Sequence, residues 1–249
     1  MIFGAQTSIR AKLAALAGFP VVGALLLALF VAHDARQRAA SAAALGSIED
    51  LARLTGYIAD VLHAVQDERA VAAIVDGSGD GVRRSNGAGG GSQAAHDTSA
   101  AAERLEGFLS NRDRTKLPAR LERGLVESEA ALHGLAAVRS RVRQEVVPLQ
   151  DILASYDAAS THLVGATAAL AELSDDGAML RNISATVALL ELEERSSREQ
   201  AIVGFASAHG EFPPGAYKAL VTTVTEQGVY DEAFRTSASD DVRQEFEAA

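Results

Sequence analysis

Two helical segments of this chain place charged or polar side chains where the apolar pattern predicts buried ones. In the first segment, apolar residues recur three and four positions apart, the spacing of a buried helix face: Leu51, Leu54, Ile58, Val61 and Val65. Glu68 and Arg69 follow on this face or at its edge. Because a guanidinium stays protonated, its burial is costly unless an anion meets it. The predicted chemistry is therefore the pairing of Arg69 with an anion. That anion is Glu68, a carboxylate of another helix, or a bound ligand.

A second polar interruption of an apolar helix face lies near residue 194. The apolar positions Ile183, Val187 and Leu190, continued by four, three and four, lead to Glu194, Ser197 and Ala201. One interpretation is a structural ion pair of Arg69 with Glu194 or Glu199, which makes the packing of two helices specific. The other is that these polar groups line a ligand pocket.

Patterns typical of metal or catalytic sites are weak in this sequence. His63 and Asp67, four residues apart, could bind a metal together, but no third ligand and no His-Glu-x-x-His pattern accompany them. The glycine-rich stretch after residue 76 lacks the Gly-Lys-Ser/Thr ending of a phosphate-binding loop. No nucleophile and base stand in a credible arrangement. We therefore expect no metal, no cofactor and no catalytic activity.

The composition indicates a helical protein that does not bind nucleic acid. The 249 residues include five prolines, no tryptophan and much Ala, Leu, Glu and Arg. The absence of cysteine excludes disulfides and thiolate metal sites. The formal net charge is −10, although residues 1–38 are basic, so the acidity lies in the rest of the chain. An acidic body of this kind argues against nucleic acid as a partner.

The segment at residues 13–32 is predicted to be a transmembrane helix. It has twenty residues and no charge, about the length that crosses a bilayer, and membrane helices tolerate its Pro20 and Gly23. We expect an uncleaved anchor in the inner (cytoplasmic) membrane. Residues 1–12 would be cytoplasmic, and residues 33–249 would be periplasmic or extracellular. A cleaved signal peptide is the alternative, because the start is basic and Ala-Ser-Ala occurs at residues 40–42.

After the anchor, the chain is predicted to form an all-α antiparallel bundle, or more than one bundle in series. Helices are expected over about 35–75 and 94–110, after Pro118, after Pro148, from about residue 177 to 208, and from about Tyr217. Residues 77–92, rich in glycine and serine, are predicted to be a flexible loop outside the site. The turn at residues 209–215, with two prolines and two glycines, should separate the last two helices.

Short motifs in these helices resemble those of the nitrate- and nitrite-sensing NIT domains of bacterial receptors. Residues 66–70, Gln-Asp-Glu-Arg-Ala, are similar to a first-helix motif Gln-x-Glu-Arg-Gly/Ala. Residues 193–203 are similar to a later motif, Lys-Glu-x-x-Gly/Ser-x-Glu-Arg-Ala-Leu-Leu. Between them, residues 135–139 resemble Leu-x-x-Leu-Arg. The resemblance covers about residues 45–249, and the order and spacing of the motifs carry most of its specificity.

The resemblance implies the sensory region of a membrane receptor that binds nitrate or nitrite with two arginines, and we expect a homodimer. Arg69 matches the first arginine, whereas Gln200 stands at the second position and Glu193 replaces the lysine. Arg198, close by on the same helix, can swing into the gap. The expected ligand-binding residues are Arg69, Glu68, Arg198, Gln200, Ser197 and Glu194. The alternatives are an anchored helical scaffold without a working pocket and a sensor of another small anion, such as a carboxylate.

Overall fold

A computed structural model describes residues 48–77, 81–144 and 147–248 of the chain, and every regular element within these ranges is helical. In chain order the α-helices are α1 (Ile48–Gly77), α2 (Gly81–Ser110), α3 (Ala119–Gln144), α4 (Leu149–Ala169), α5 (Gly177–His209), α6 (Ala216–Ser237) and α7 (Asp240–Ala248). Short 3₁₀ helices cover Arg114–Lys116 and Leu170–Leu173. The all-α prediction is confirmed, although α7 was not predicted.

Several helix ends coincide with local sequence signals. Pro148 directly precedes α4, where its missing N–H costs nothing. The Asp176 carboxylate caps α5 by accepting the backbone N–H groups of Ala178 and Met179, at 2.7 and 3.0 Å. Gly210 ends α5 with a φ of 81°, a left-handed conformation that glycine adopts without strain. These breaks separate the helices at the predicted positions.

The main apolar core contains residues from each of the helices α1, α2, α3, α4 and α5. It includes the predicted α1 face, Leu51, Leu54, Ile58, Val61 and Val65, all of them buried. A second apolar cluster contains Ala73, Leu153, Ile202, Phe205 and Ala216, so it joins α1, α4, α5 and α6. The 33 residues of α5 span about 50 Å and reach both clusters. Polar residues of α1, α4 and α5 lie between the two clusters.

The prediction of a flexible loop over residues 77–92 was wrong for residues 81–92, which form the beginning of α2. Each glycine costs a helix about 1 kcal/mol relative to alanine, so local propensity opposes this helix. Packing of α2 along α1 offsets this unfavourable free energy. Thr98 Oγ1 donates to the backbone oxygen of Ala64 at 3.0 Å, and Gly90 lies beside Val71. The connection at residues 78–80 lies outside the described residues.

The predicted transmembrane segment at residues 13–32 also lies outside the described residues. Among the helices from residue 48 onward that the structure describes, none combines the length and apolar character of a membrane span. The anchor and the boundaries at residues 12 and 33 therefore remain predictions.

Candidate functional site

Arg69 is the central side chain of a polar cluster between α1, α4 and α5. Its side chain is 0% exposed. Nη1 donates to Asp157 Oδ1 at 2.8 Å and to Glu194 Oε1, and Nη2 lies 3.4 Å from the backbone oxygen of Glu194. The buried guanidinium therefore has carboxylates from two other helices, as its charge requires. Glu194 was a predicted partner, whereas Asp157 was not identified from the sequence.

Arg198 reaches the same Asp157 from the other side. Arg198 Nη1 pairs with Asp157 Oδ2, while Arg69 binds Oδ1. One carboxylate of α4 thus bridges a guanidinium of α1 and a guanidinium of α5. Burial, as the largest effect, raises the pKa of Asp157, and the nearby Glu194 adds to this, while Arg198 and Arg69 oppose the rise.

Glu194 also fastens α5 to α1. Its Oε2 accepts from Gln66 Nε2 at 3.1 Å, and Ser197 Oγ donates to the backbone oxygen of Gln66 at 3.4 Å. The predicted residues Glu194 and Ser197 are therefore both in the cluster. Arg69 Nε, although buried, makes no hydrogen bond to any residue that the structure describes. One donor of the central guanidinium is left for another acceptor.

Glu68 belongs to a second network beside the first. Arg139 of α3 donates two hydrogen bonds to the Glu68 carboxylate, from Nε to Oε1 at 2.6 Å and from Nη2 to Oε2 at 2.8 Å. The hydroxyl of Tyr156 donates to Glu68 Oε1 at 3.0 Å. Burial and the neighbouring carboxylate raise the pKa of Tyr156, so the phenol remains a donor. Glu68 and Arg69, adjacent in sequence, thus bind neighbouring residues of α4, and in addition Glu68 binds α3 and Arg69 binds α5.

Gln200 is not brought to Arg69. Its side chain is exposed, because residues two apart on a helix point about 200° from each other and Arg198 takes the direction toward α4. Arg198 is therefore the second guanidinium of the cluster, and its role in ligand binding remains a prediction. Glu193 instead pairs with His63, Oε2 to Nε2 at 2.9 Å.

An open cavity of about 490 Å³ adjoins the cluster between α4, α5 and α6. Its wall carries three basic and three acidic side chains: Arg195, Arg198, Lys218, Asp157, Glu194 and Glu226. Arg195 Nε lies 2.7 Å from Glu226 Oε2. The Asp157 and Arg198 side chains, 22% and 28% exposed, face solvent here, whereas Arg69 lies behind them. A small solute can therefore reach the bridging carboxylate.

Two members of the cluster carried weak sequence signals. Leu149, Leu153 and Asp157 are four residues apart, so Asp157 continues a buried face of α4. Gln66 is part of the first-helix motif, but nothing in its spacing pointed to Glu194. Identifying either contact from the sequence would have required the relative rotation of α1, α4 and α5.

Comparisons with known proteins identify the family of this chain and show a similar fold. A family model described as "Nitrate and nitrite sensing" matches residues 60–249, more than half of the chain. The solved structure of the NasR transcription antiterminator is similar, with a TM-score of 0.62 over 86% of this chain and 56% of that one. Its sequence identity is 19%, so this likeness shows the fold alone. No curated protein matches. The matched family is sensory rather than catalytic, and this chain belongs to it: it is a member of the NIT family of nitrate- and nitrite-sensing domains.

Proposed function

We propose that this chain is the input region of a signal-transduction receptor and that it binds nitrate or nitrite between Arg69 and Arg198. The observation that supports the proposal is the convergence of two guanidiniums, from α1 and α5, on the two oxygens of one carboxylate. A carboxylate is a small planar monoanion, and so are nitrate and nitrite. A site that holds one between two arginines has suitable geometry for the others.

The surroundings of the two arginines also support binding of a small anion. Charge-assisted hydrogen bonds are stronger where water is excluded, and Arg69 is wholly buried. Its unused Nε donor can serve an acceptor that the protein does not itself supply. The adjoining cavity connects Asp157 and Arg198 to solvent. Glu68, Glu194 and Ser197 are then positioning residues, which hold α1 against α3 and α5.

The context of a membrane receptor is part of the proposal. The uncharged segment at residues 13–32 supports an anchor in the cytoplasmic membrane with the helical domain outside the cytoplasm. This chain spans 56% of the NasR structure that it resembles, so an output module and a homodimeric partner are also proposals.

A helical scaffold without a ligand is the second candidate function, and one observation favours it. Arg69 and Arg198 already have carboxylate partners within the protein, as a purely structural network would require. In that case Asp157 and Glu194 satisfy the arginines permanently, and the charges specify how α1, α4 and α5 pack.

Thermal unfolding in a panel of sodium salts distinguishes the two functions. Nitrate and nitrite should raise the unfolding midpoint of the 249-residue chain, in detergent, above that in chloride or formate at equal ionic strength. A ligand at 100 times its Kd stabilises the folded state by about 2.7 kcal/mol. Equal midpoints in all four salts would favour the scaffold.

A paired substitution links this response to the arginine. Arg69→Met combined with Glu194→Met removes both charges and leaves apolar side chains, so the fold should persist while the nitrate response disappears. Arg53→Met is the control, since Arg53 lies on the same helix and pairs with Glu49 at the exposed surface. The control should keep the full response.

A further inference from the structure

We propose that Asp157 is an internal competitor for the anion site, and that a bound nitrate takes the place of its carboxylate between Arg69 and Arg198. The inference rests on the proposed function and adds the residue that sets the affinity. It starts from an observed geometry: the Asp157 oxygens already receive one guanidinium each. A planar anion cannot use both of these donors while Asp157 keeps them.

The charges around the cavity also oppose an added anion beside an ionised Asp157. Its wall carries equal numbers of basic and acidic side chains. Arg69 behind the wall and Glu191, which pairs with Arg195 at 3.2 Å, add one charge of each sign. The cluster is therefore neutral when every group is ionised. An added anion would leave it with an uncompensated negative charge in a partly buried place, which is costly.

Asp157 is better suited to leave than Glu194. Glu194 is nearly fully buried and accepts from Gln66 as well as from Arg69, so its departure would strand several donors. The Asp157 carboxylate has no hydrogen-bond partners among the described residues other than the two arginines, and it borders the open cavity. Rotation of this one side chain releases the bond that each arginine makes to Asp157, while Arg69 keeps its pair with Glu194.

Lys218 of α6 offers the displaced carboxylate a new partner. Its side chain lines the same cavity, is exposed, and forms no ion pair within the described part of the chain. Movement of Asp157 toward Lys218 would replace contacts of α4 to α1 and α5 with a contact to α6. Nitrate binding would then alter how α4 is held, which is a direct route from ligand to conformation.

Competition also makes nitrate binding depend on pH. The groups that face Asp157 are Arg69 on α1, Glu194 and Arg198 on α5, and Lys218 and Glu226 across the cavity on α6. Protonated Asp157 no longer competes for the guanidiniums. Burial raises its pKa above the ordinary value, so nitrate affinity should increase as pH falls toward that range.

The test is calorimetry with sodium nitrate on the 249-residue chain in detergent, at about pH 5 and about pH 7.5. Asp157→Asn should bind nitrate at least about tenfold more tightly than the parent at the higher pH, and with little pH dependence. Asp151→Asn is the matched control, because Asp151 lies on the same helix and pairs with Arg141 at the surface. Its affinity and pH profile should match the parent's.

The outcomes separate this inference from the proposed function. If the parent binds nitrate and Asp157→Asn binds equally or more weakly, the inference is overturned and the proposed function stands. If neither protein binds nitrate, both are overturned. If only Asp157→Asn binds, the inference is supported in its strongest form.

A second variant decides the matter if Asp157→Asn does not fold. Lys218→Gln changes an exposed residue and should leave the unfolding midpoint in chloride unaltered. It should weaken nitrate binding about threefold or more, because the displaced carboxylate loses its new partner. Unchanged nitrate affinity in Lys218→Gln would contradict the displacement of Asp157 toward α6.

Discussion

The Glu68 carboxylate and the Arg139 guanidinium form a two-bond pair across α1 and α3, at 2.6 and 2.8 Å. Glu68 is almost completely buried, and Tyr156 is its other donor. Because Arg69 directly follows Glu68, one residue links α1 to α3 and α4 and the next links it to α4 and α5. A shift of α1 at the anion cluster would therefore also move Glu68 relative to Arg139 of α3.

Removal of Arg139 should destabilise the protein strongly. Arg139→Met leaves the buried Glu68 carboxylate with Tyr156 alone, and stranding a buried charge costs about 3–5 kcal/mol. Urea denaturation measures the loss. Arg139→Met with Glu68→Met should recover most of it, and Arg123→Met, a substitution at an arginine elsewhere on α3, should cost under about 1 kcal/mol. A small loss for Arg139→Met would show that the pair contributes little.

Substitutions at the two candidate positions for a second arginine, 198 and 200, should give different results. Arg198→Gln removes one guanidinium from the cluster and should weaken nitrate binding by about one to two decades. Gln200→Arg, on the exposed face of α5, should leave nitrate affinity within about twofold of the parent. Calorimetry with sodium nitrate measures both. Tighter binding by Gln200→Arg would mean that α5 rotates when ligand binds.

The pair of His63 and Glu193 should make stability depend weakly on pH. The hydrogen bond that protonated His63 donates to the Glu193 carboxylate raises the pKa of His63 above 6.5. The stabilisation is therefore fully present below the unfolded pKa and is lost as pH rises through the higher folded value. Both side chains are more than a third exposed, so solvent limits the effect to about 0.5 kcal/mol.

Urea denaturation between about pH 6 and pH 8.5 tests this dependence. His63→Gln and Glu193→Gln should each remove it, since either substitution breaks the same pair. A decline of equal size in both variants and the parent would assign the pH dependence to other groups.

Two glycine substitutions should have opposite effects on stability. A Cβ at Gly90 of α2 would lie 3.9 Å from Val71 Cγ1, an ordinary contact, so Gly90→Ala should stabilise the helix by about 1 kcal/mol. A Cβ at Gly124 of α3 would lie 3.2 Å from Ala166 Cα and 3.3 Å from its backbone nitrogen. Gly124→Ala should therefore destabilise by about 1–3 kcal/mol.

Thermal and urea unfolding of the two glycine variants measure these changes. Destabilisation by Gly90→Ala would indicate that residues near 90 are not helical in solution, as the glycine-rich sequence had suggested. Neutral behaviour of Gly124→Ala would show that α3 and α4 can separate by a few tenths of an ångström without cost.

The sequence by itself determined the helical class, the breaks at Pro148 and Gly210, and the buried face of α1 that leads to Arg69. It also determined that Arg69 needs an anion, because a permanently charged group on a buried face requires one. The spacing of apolar residues indicates the helices and their buried faces, because it depends only on which residues of one helix avoid water. The motifs of residues 66–70 and 193–203 likewise indicated the family.

Only the tertiary structure decided which partners meet. Arg69 pairs with Asp157 and Glu194, 88 and 125 residues away, and Glu68 with Arg139, 71 residues away. These contacts depend on how the helices are rotated against one another, which is set by packing of the whole core. Tertiary packing likewise keeps the glycine-rich residues 81–92 helical against their propensity, and turns Arg198 rather than Gln200 toward Asp157.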